Sequence, residues 1–313
     1  MQTYLKSRPV WVQLLLFIGL AFGIFMVLGL LGTIIYTSVT DTRLNDLMDL
    51  DLTKPDTVHH LRFMQTLQFF GLFVIPVWLF AYFSDPSPAE YLGLRKPTAK
   101  RYWIYGVLAM MIAIPLVTYT GVLNQQITFD ESTQQWIKSQ EEAANKMIEY
   151  MLNRRTPWEL FLNIIFIAVL AGVGEELFFR GVLQRLFIRA FRSPWAGIIL
   201  TAIIFSAIHM QFLGFIPRVI MGIILGAIYW YSGSLWAAIL AHFFYDAFLI
   251  VLTYFNPHLI TEDPGEYPQS ELAILAVVSA VLTGVIVWLM KKQSKTRYQV
   301  VYENDKPKDP FSS

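Results

Sequence analysis

The apolar residues of this chain fall into blocks separated by short polar segments. Eight blocks stand out: Val10–Thr37, Leu61–Phe83, Tyr102–Leu123, Trp158–Phe179, Trp195–His209, Phe215–Tyr231, Leu235–Phe255 and Leu272–Met290. Most are close to the ~20 residues that carry a helix across a ~30 Å hydrocarbon core. The pattern predicts an all-α fold, a polytopic membrane helical bundle of about eight transmembrane helices. Thr156-Pro157-Trp158-Glu159 supplies an N-cap, a proline at N1 and an acidic N3, and Ser193-Pro194 repeats the device. Gly233-Ser234 reads as one helix end followed by a new N-cap. Pro76 and Pro115 fall inside predicted spans, where neighbouring helices can satisfy the freed backbone groups. The run from Val10 is much longer than the 7–15-residue core of a signal peptide, so it reads as a retained first span. Between Asn124 and Thr156, Ser139 and Glu142 match a capping box, and Ala144, Met147, Ile148, Met151 and Leu152 follow at helical spacing. This segment fits an amphipathic helix at the interface or a helix packed on the spans.

Charge fixes an orientation. With the N-terminus inside, cytoplasmic segments hold Lys6, Arg8, Arg95, Lys96, Lys100, Arg101, Arg180, Arg185, Arg189, Arg192, Lys291, Lys292, Lys295 and Arg297, with Lys306 and Lys308 beyond. Outer segments hold half as many: Arg43, Lys54, Arg62, Lys138, Lys146, Arg154 and Arg155, with Arg218 at a helix start. The first outer loop is acidic (Asp41, Asp46, Asp49, Asp51, Asp56), and so is the last (Glu262, Asp263, Glu266). The bias places the N- and C-termini in the cytoplasm. The expected organisation is a single integral membrane domain over 1–297, with its motif-bearing core at 158–255, and a polar cytoplasmic tail over 298–313, in the inner (cytoplasmic) membrane. The net charge of +1 carries no basic excess, which argues against nucleic acid as a partner. The 55% apolar content excludes a disordered chain. The absence of cysteine excludes disulfides, thiolate catalysis and cysteine-ligated metals.

Ionisable residues inside spans are costly and mark functional sites. Here they gather in three consecutive places. In Gly174-Glu175-Glu176-Leu177-Phe178-Phe179-Arg180, Glu176 and Arg180 stand at i,i+4, the spacing of a helix ion pair. Glu175 points about 100° away, toward a different neighbour. Two adjacent carboxylates in low dielectric repel, so one needs a proton or a cation. Phe205-Ser206-Ala207-Ile208-His209 contributes a histidine that would, alone, fit a packing role. In His242-Phe243-Phe244-Tyr245-Asp246, His242 and Asp246 share a helix face, where the carboxylate can orient the ring. At ~1.5 Å per residue, Glu175 lies ~15 Å, His242 ~12 Å and Asp246 ~18 Å from the cytoplasmic boundary, with His209 deeper at ~22 Å. Pro157 to Arg192 would make a ~54 Å helix, which must protrude or break, with Gly181 the expected break.

A Glu and a His can position and deprotonate a water, and further polar groups can stabilise an oxyanion. That fits hydrolysis of an amide. A divalent metal site is the competing chemistry, but no HExxH spacing is present, so no metal and no cofactor is called for. A proton-relay transporter is a third reading. Gly222 and Gly226 form a GxxxG suited to close packing inside the bundle.

EExxxR at Glu175–Arg180, FxxxH at Phe205–His209 and HxxxD at His242–Asp246, in this order and spacing, resemble the CPBP family of CAAX proteases and bacteriocin-processing membrane enzymes. The resemblance covers about Trp158–Phe255. It implies an intramembrane glutamic endopeptidase with a conical cavity open toward the cytoplasm. Carried over by position, Glu175 and His209 activate the water, His242 and Asp246 line the oxyanion side, and Glu176, Arg180 and Phe205 support the site. The family's third motif usually ends in Asn, so Asp246 must be protonated or turned onto His242. The implied partners are the bilayer and a peptide or protein substrate, lipidated or not. Some family members are immunity or scaffold proteins, which leaves a non-catalytic role as an alternative. Neither the substrate nor the oligomeric state is legible.

Overall fold

Helix length sorts the elements into two kinds. In the computed structural model, which describes residues 4–40, 52, 54, 57–260 and 268–302, seven helical segments are long and apolar enough to cross a membrane. Six are introduced here as α1 (Val10–Thr40), α2 (Thr57–Ser84), α3 (Arg101–Gln125), α5 (Pro157–Phe191), α8 (Leu235–Phe255) and α9 (Gln269–Gln293). The seventh runs Phe212–Ser232, and its α-helical part is α7 (Phe215–Ser232). Between the spans lie α4 (Glu131–Leu152) and the short apolar α6 (Pro194–Ile208). The chain is a multi-pass membrane protein, helical with no strand among the described residues. The acidic loop residues 41–51, 56 and 262–266, with Arg43, Lys306 and Lys308, lie outside the described residues.

The eighth expected span is α6. Its 15 residues rise only ~22 Å, short of a ~30 Å core. It begins at the end of the bundle that carries the basic loops and stops short of a full crossing, so His209, its C-cap, stays inside the bundle. The chain then turns over Met210–Gly214 and returns as α7, packed along α6. Gly222 and Gly226 allow that approach. A Cβ on Gly222 would meet the Ala202 Cβ at 2.8 Å. The GxxxG therefore serves packing within the bundle, as its sequence context indicates.

α5 does not break at Gly181. It runs unbroken from Pro157 to Phe191, with wider i→i+5 turns at Ile164–Val169 and Glu176–Gln184. It ends where Arg192 takes a left-handed conformation. Its start follows the sequence signal, since the Thr156 hydroxyl accepts the Glu159 N–H at 3.1 Å. Ser193 likewise caps α6 through the Ala196 N–H. Gly233 ends α7 at φ 64°, but Ser234 makes no side-chain cap and donates instead to the Arg95 carbonyl. Pro115 interrupts α3 near Ala113. Ser279 on α9 donates to the Ile112 carbonyl and receives the Leu116 N–H, replacing the lost ladder bonds. Pro76 follows another widened turn, Phe69–Val74, in α2.

α4 begins eight residues before the expected capping box. Asp130 is the true N-cap, accepting the Thr133 N–H, so Ser139 lies mid-helix and donates to the Trp136 carbonyl. Hydrogen bonds from Ser132 and Thr133 hold the Asp130 carboxyl well below the usual carboxylate range. One face of α4 packs on the spans, burying Ile137, Glu141 and Met151.

The outer surfaces of α1 and α9 expose aliphatic side chains such as Leu15, Leu30, Ile35, Val277 and Val281, as a lipid-facing surface requires. The interior is aromatic. Phe17 of α1 contacts Phe80 of α2 and Phe178 of α5, and the ring chain continues through Phe179 to Phe205 of α6. At the basic end, the short helix Tyr298–Tyr302 lies against α5, with the Tyr302 hydroxyl donating to the Arg185 carbonyl.

Candidate functional site

All seven residues singled out by the sequence converge. The widened turn of α5 carries Glu176 and Arg180, and both side chains have no solvent exposure. Arg180 Nη1 donates to Glu176 Oε1 at 2.6 Å, and Nη2 donates to the Gly222 carbonyl at 3.2 Å. The guanidinium lies over the Phe205 ring at 5.0 Å, a cation–π contact. A buried carboxylate is tolerated only when so paired. Glu176 Oε1 also meets His242 Nδ1 at 3.0 Å. One buried carboxylate oxygen thus ties Arg180 of α5 to His242 of α8.

Glu175, one residue earlier, faces elsewhere. Its Oε1 lies 3.8 Å from His209 Nε2, and its Oε2 lies 4.0 Å from His242 Nε2. Both gaps are longer than a direct hydrogen bond, the range in which a water bridges polar groups. Asp246 Oδ2 approaches His242 Nε2 at 3.4 Å. Asp246 is therefore turned onto His242, one of the two conditions under which a carboxylate fits this position. Glu175, His209 and Asp246 keep 16%, 29% and 19% side-chain exposure, whereas Glu176, Arg180 and His242 keep 4% or less. The site has an accessible layer over a sealed one.

The tautomer of His209 follows from its backbone partner. Nδ1 lies 2.7 Å from the Phe205 carbonyl, which can only accept, so Nδ1 carries the hydrogen. In the neutral ring, Nε2 is then an acceptor, and it faces Glu175. The next residue, Met210, has φ 55°, an uncommon left-handed conformation for a non-glycine. Three braces hold this turn. Asn124 of α3 donates to the Phe212 carbonyl and accepts the Ile216 N–H. Arg218 of α7 donates to the Gln211 carbonyl and side-chain oxygen. Glu141 of α4 accepts the Leu213 N–H at 2.8 Å. Ser206 donates to the Phe215 carbonyl, linking α6 to α7.

Sequence reasoning missed these braces. Asn124, Glu141 and Arg218 lie in separate elements with no shared spacing, and Gln184 was also passed over. Gln184 had a signal: it continues the Glu176, Arg180 stripe by four residues. It donates to the Gly226 carbonyl as Arg180 donates to that of Gly222. Beside His209 opens a cavity of about 530 Å³, within the size range of ligand sites. Among the described residues, no group of three or more His, Asp or Glu side chains is arranged to hold a metal ion.

Residues 157–248 match the family described as type II CAAX prenyl endopeptidase Rce1-like. The match covers the three motifs and agrees with the resemblance they carry. An uncharacterized protein of Bacillus subtilis, YpbD, is 34% identical over 89 residues, 27% of this chain and 42% of YpbD. The matched segment thus spans less than half the length of that relative. No solved structure matches the chain.

Proposed function

We propose that this protein is an intramembrane endopeptidase of the glutamic type, hydrolysing peptide bonds with a water activated by Glu175 and His209. The observation that carries the reading is that Glu175 stands 3.8 and 4.0 Å from the Nε2 atoms of His209 and His242, beside a cavity. A water seated on the open side of these groups donates to Glu175 and to His209 Nε2. Glu175 takes one proton as the oxygen attacks the peptide carbonyl carbon. The carbonyl oxygen becomes an oxyanion on the His242 side. Collapse breaks the C–N bond, and the proton held by Glu175 passes to the leaving amine. Glu176 and Arg180 act through His242, fixing its ring from the sealed layer. Asp246 acts from the open side as its orienting partner.

The substrate is a peptide or protein at the bilayer. The proposed setting is the cytoplasmic (inner) membrane with both termini inside. The proposed organisation is one integral membrane unit over 1–297 followed by a polar segment over 298–313, whose start, Tyr298–Tyr302, packs on α5. The test is cleavage of a peptide library by purified protein in detergent, beside Glu175→Gln and His209→Ala, with and without chelator. The expected result is cleavage that ignores chelator and disappears in both variants while insertion is retained. Wild-type turnover in either variant refutes the site. Loss with chelator and rescue by a divalent metal favours a metal-dependent hydrolase. A cellular role that survives Glu175→Gln favours a non-catalytic partner.

A further inference from the structure

The cavity lies on one side of the catalytic layer. It is bounded by the halves of α1 and α2 remote from the basic loops, through Phe25, Thr33 and Gln65, by Met147 and Met151 of α4, and by His209. α6 is too short for a full crossing, and the cavity lies beyond its end, with α4 over it. Two contacts register α4 on the turn that follows His209: Glu141 to the Leu213 N–H, and the Trp136 ring against Phe212 at 5.5 Å. At its other end, the Met151 carbonyl receives Asn163 of α5.

The opposite membrane face is the basic one. Lys6, Arg8, Arg95, Lys96, Lys100, Arg101, Arg189, Arg192, Lys291, Lys292, Lys295 and Arg297 all lie at the ends where α6 begins and α7 ends. At the cavity face, Arg62 and Arg154 are consumed by Glu159. The excess of Lys and Arg marks the cytoplasmic side. The cavity therefore lies in the half of the bundle away from the basic face, whereas the family resemblance implies a cytoplasmic opening.

Resting on the proposed peptidase reading, we infer that the site takes its substrate from the non-cytoplasmic side of the membrane, as an uncharged, apolar peptide segment laid under α4. The lining fits that class. It is mainly aliphatic and thioether, its polar groups are neutral amides and a hydroxyl (Gln65, Gln68, Gln211, Thr33), and His209 is its sole ionisable member. Charged flanking residues would have no partner there.

The chain lacks cysteine, so single cysteines can be read without background. Ile148→Cys reports the cavity roof, and Lys295→Cys reports the basic face. A membrane-impermeant maleimide is applied to right-side-out and inverted vesicles of the full-length variants. The expected result is labelling of Ile148→Cys only in right-side-out vesicles and of Lys295→Cys only in inverted ones. The reverse pattern overturns the inference. In detergent, where both sites are reachable, a bulky maleimide on Ile148→Cys should abolish cleavage of an apolar peptide and leave Lys295→Cys unaffected. Cleavage that depends on Glu175 yet survives the Ile148 adduct overturns the cavity as the substrate path. Absence of Glu175-dependent cleavage before labelling refutes the peptidase reading instead, and the vesicle labelling still decides the side.

Discussion

Two Arg–Glu constellations are buried in this bundle, and both involve α5. Near its start, Glu159 is bound by Arg62 of α2 and by Arg154, while Asn163 accepts from Arg62 and donates to the Met151 carbonyl. Each oxygen of Glu159 has a cation, and the network joins α2, α5 and the end of α4. Midway along, Glu176 is bound by Arg180, but its Oε1 also holds His242, and the neighbouring Glu175 faces two imidazoles at 3.8 and 4.0 Å. The first network is closed and can only clamp helices. The second fixes two imidazoles by partners of their own and leaves the Glu175 carboxylate beyond direct hydrogen-bond distance of either. A buried charge pair is thus a weak mark of function. What marks the second site is the unspent carboxylate beside a cavity.

Substitutions can break this contrast. The largest effect is expected for Glu175→Gln, which removes the base and should lower kcat by about 10²–10⁴, the usual worth of general-base catalysis, with an unchanged melting temperature in detergent. Arg180→Met should act on stability instead. It takes the guanidinium from the buried Glu176, leaving the His242 contact, and should cost about 3–5 kcal/mol, the penalty for removing one partner of a buried pair, read as a large fall in the melting temperature. Arg62→Ala should cost less, about 1.5–3 kcal/mol for its charge-assisted hydrogen bonds, because Arg154 still serves Glu159, and kcat should hold. Asp246→Asn should be mildest. An amide can keep a contact with the His242 ring, so kcat should stay within about tenfold, a barrier change near 1.4 kcal/mol, while the pH profile of cleavage loses the contribution of the carboxylate. Equal losses of kcat in Arg62→Ala and Glu175→Gln would dissolve the distinction between the two networks.

Much of this was legible before the structure. The apolar blocks gave the spans because a bilayer imposes one length on every crossing helix, and the three motifs gave the site because each costly charge inside a span needs a reason. The legible part ended where depth had to be inferred from local spacing. Trp195–His209 read as one more span, and the depth of His209 read as a mismatch. Both have the same cause, a helix too short for a full crossing, and its length was already in the chain between Pro194 and His209. The path of α5 through Gly181 was not legible, because the widened turn there lies against α6 and α8, and packing between distant segments does not show in composition. The supports of the His209 turn were hidden for a similar reason. Asn124, Glu141 and Arg218 act through backbone groups of a distant loop, and backbone groups leave no trace in side-chain patterns.

The central claim is that the site around Glu175 is chemical and the Glu159 network is structural. The most direct measurement takes kcat/KM for peptide cleavage and the melting temperature together, on the same detergent-purified samples of wild type, Glu175→Gln and Arg62→Ala. The account predicts that Glu175→Gln loses cleavage at an unchanged melting temperature, and that Arg62→Ala melts earlier yet cleaves at the wild-type rate below its transition. Cleavage that persists in Glu175→Gln, in a sample as stable as wild type, would contradict it.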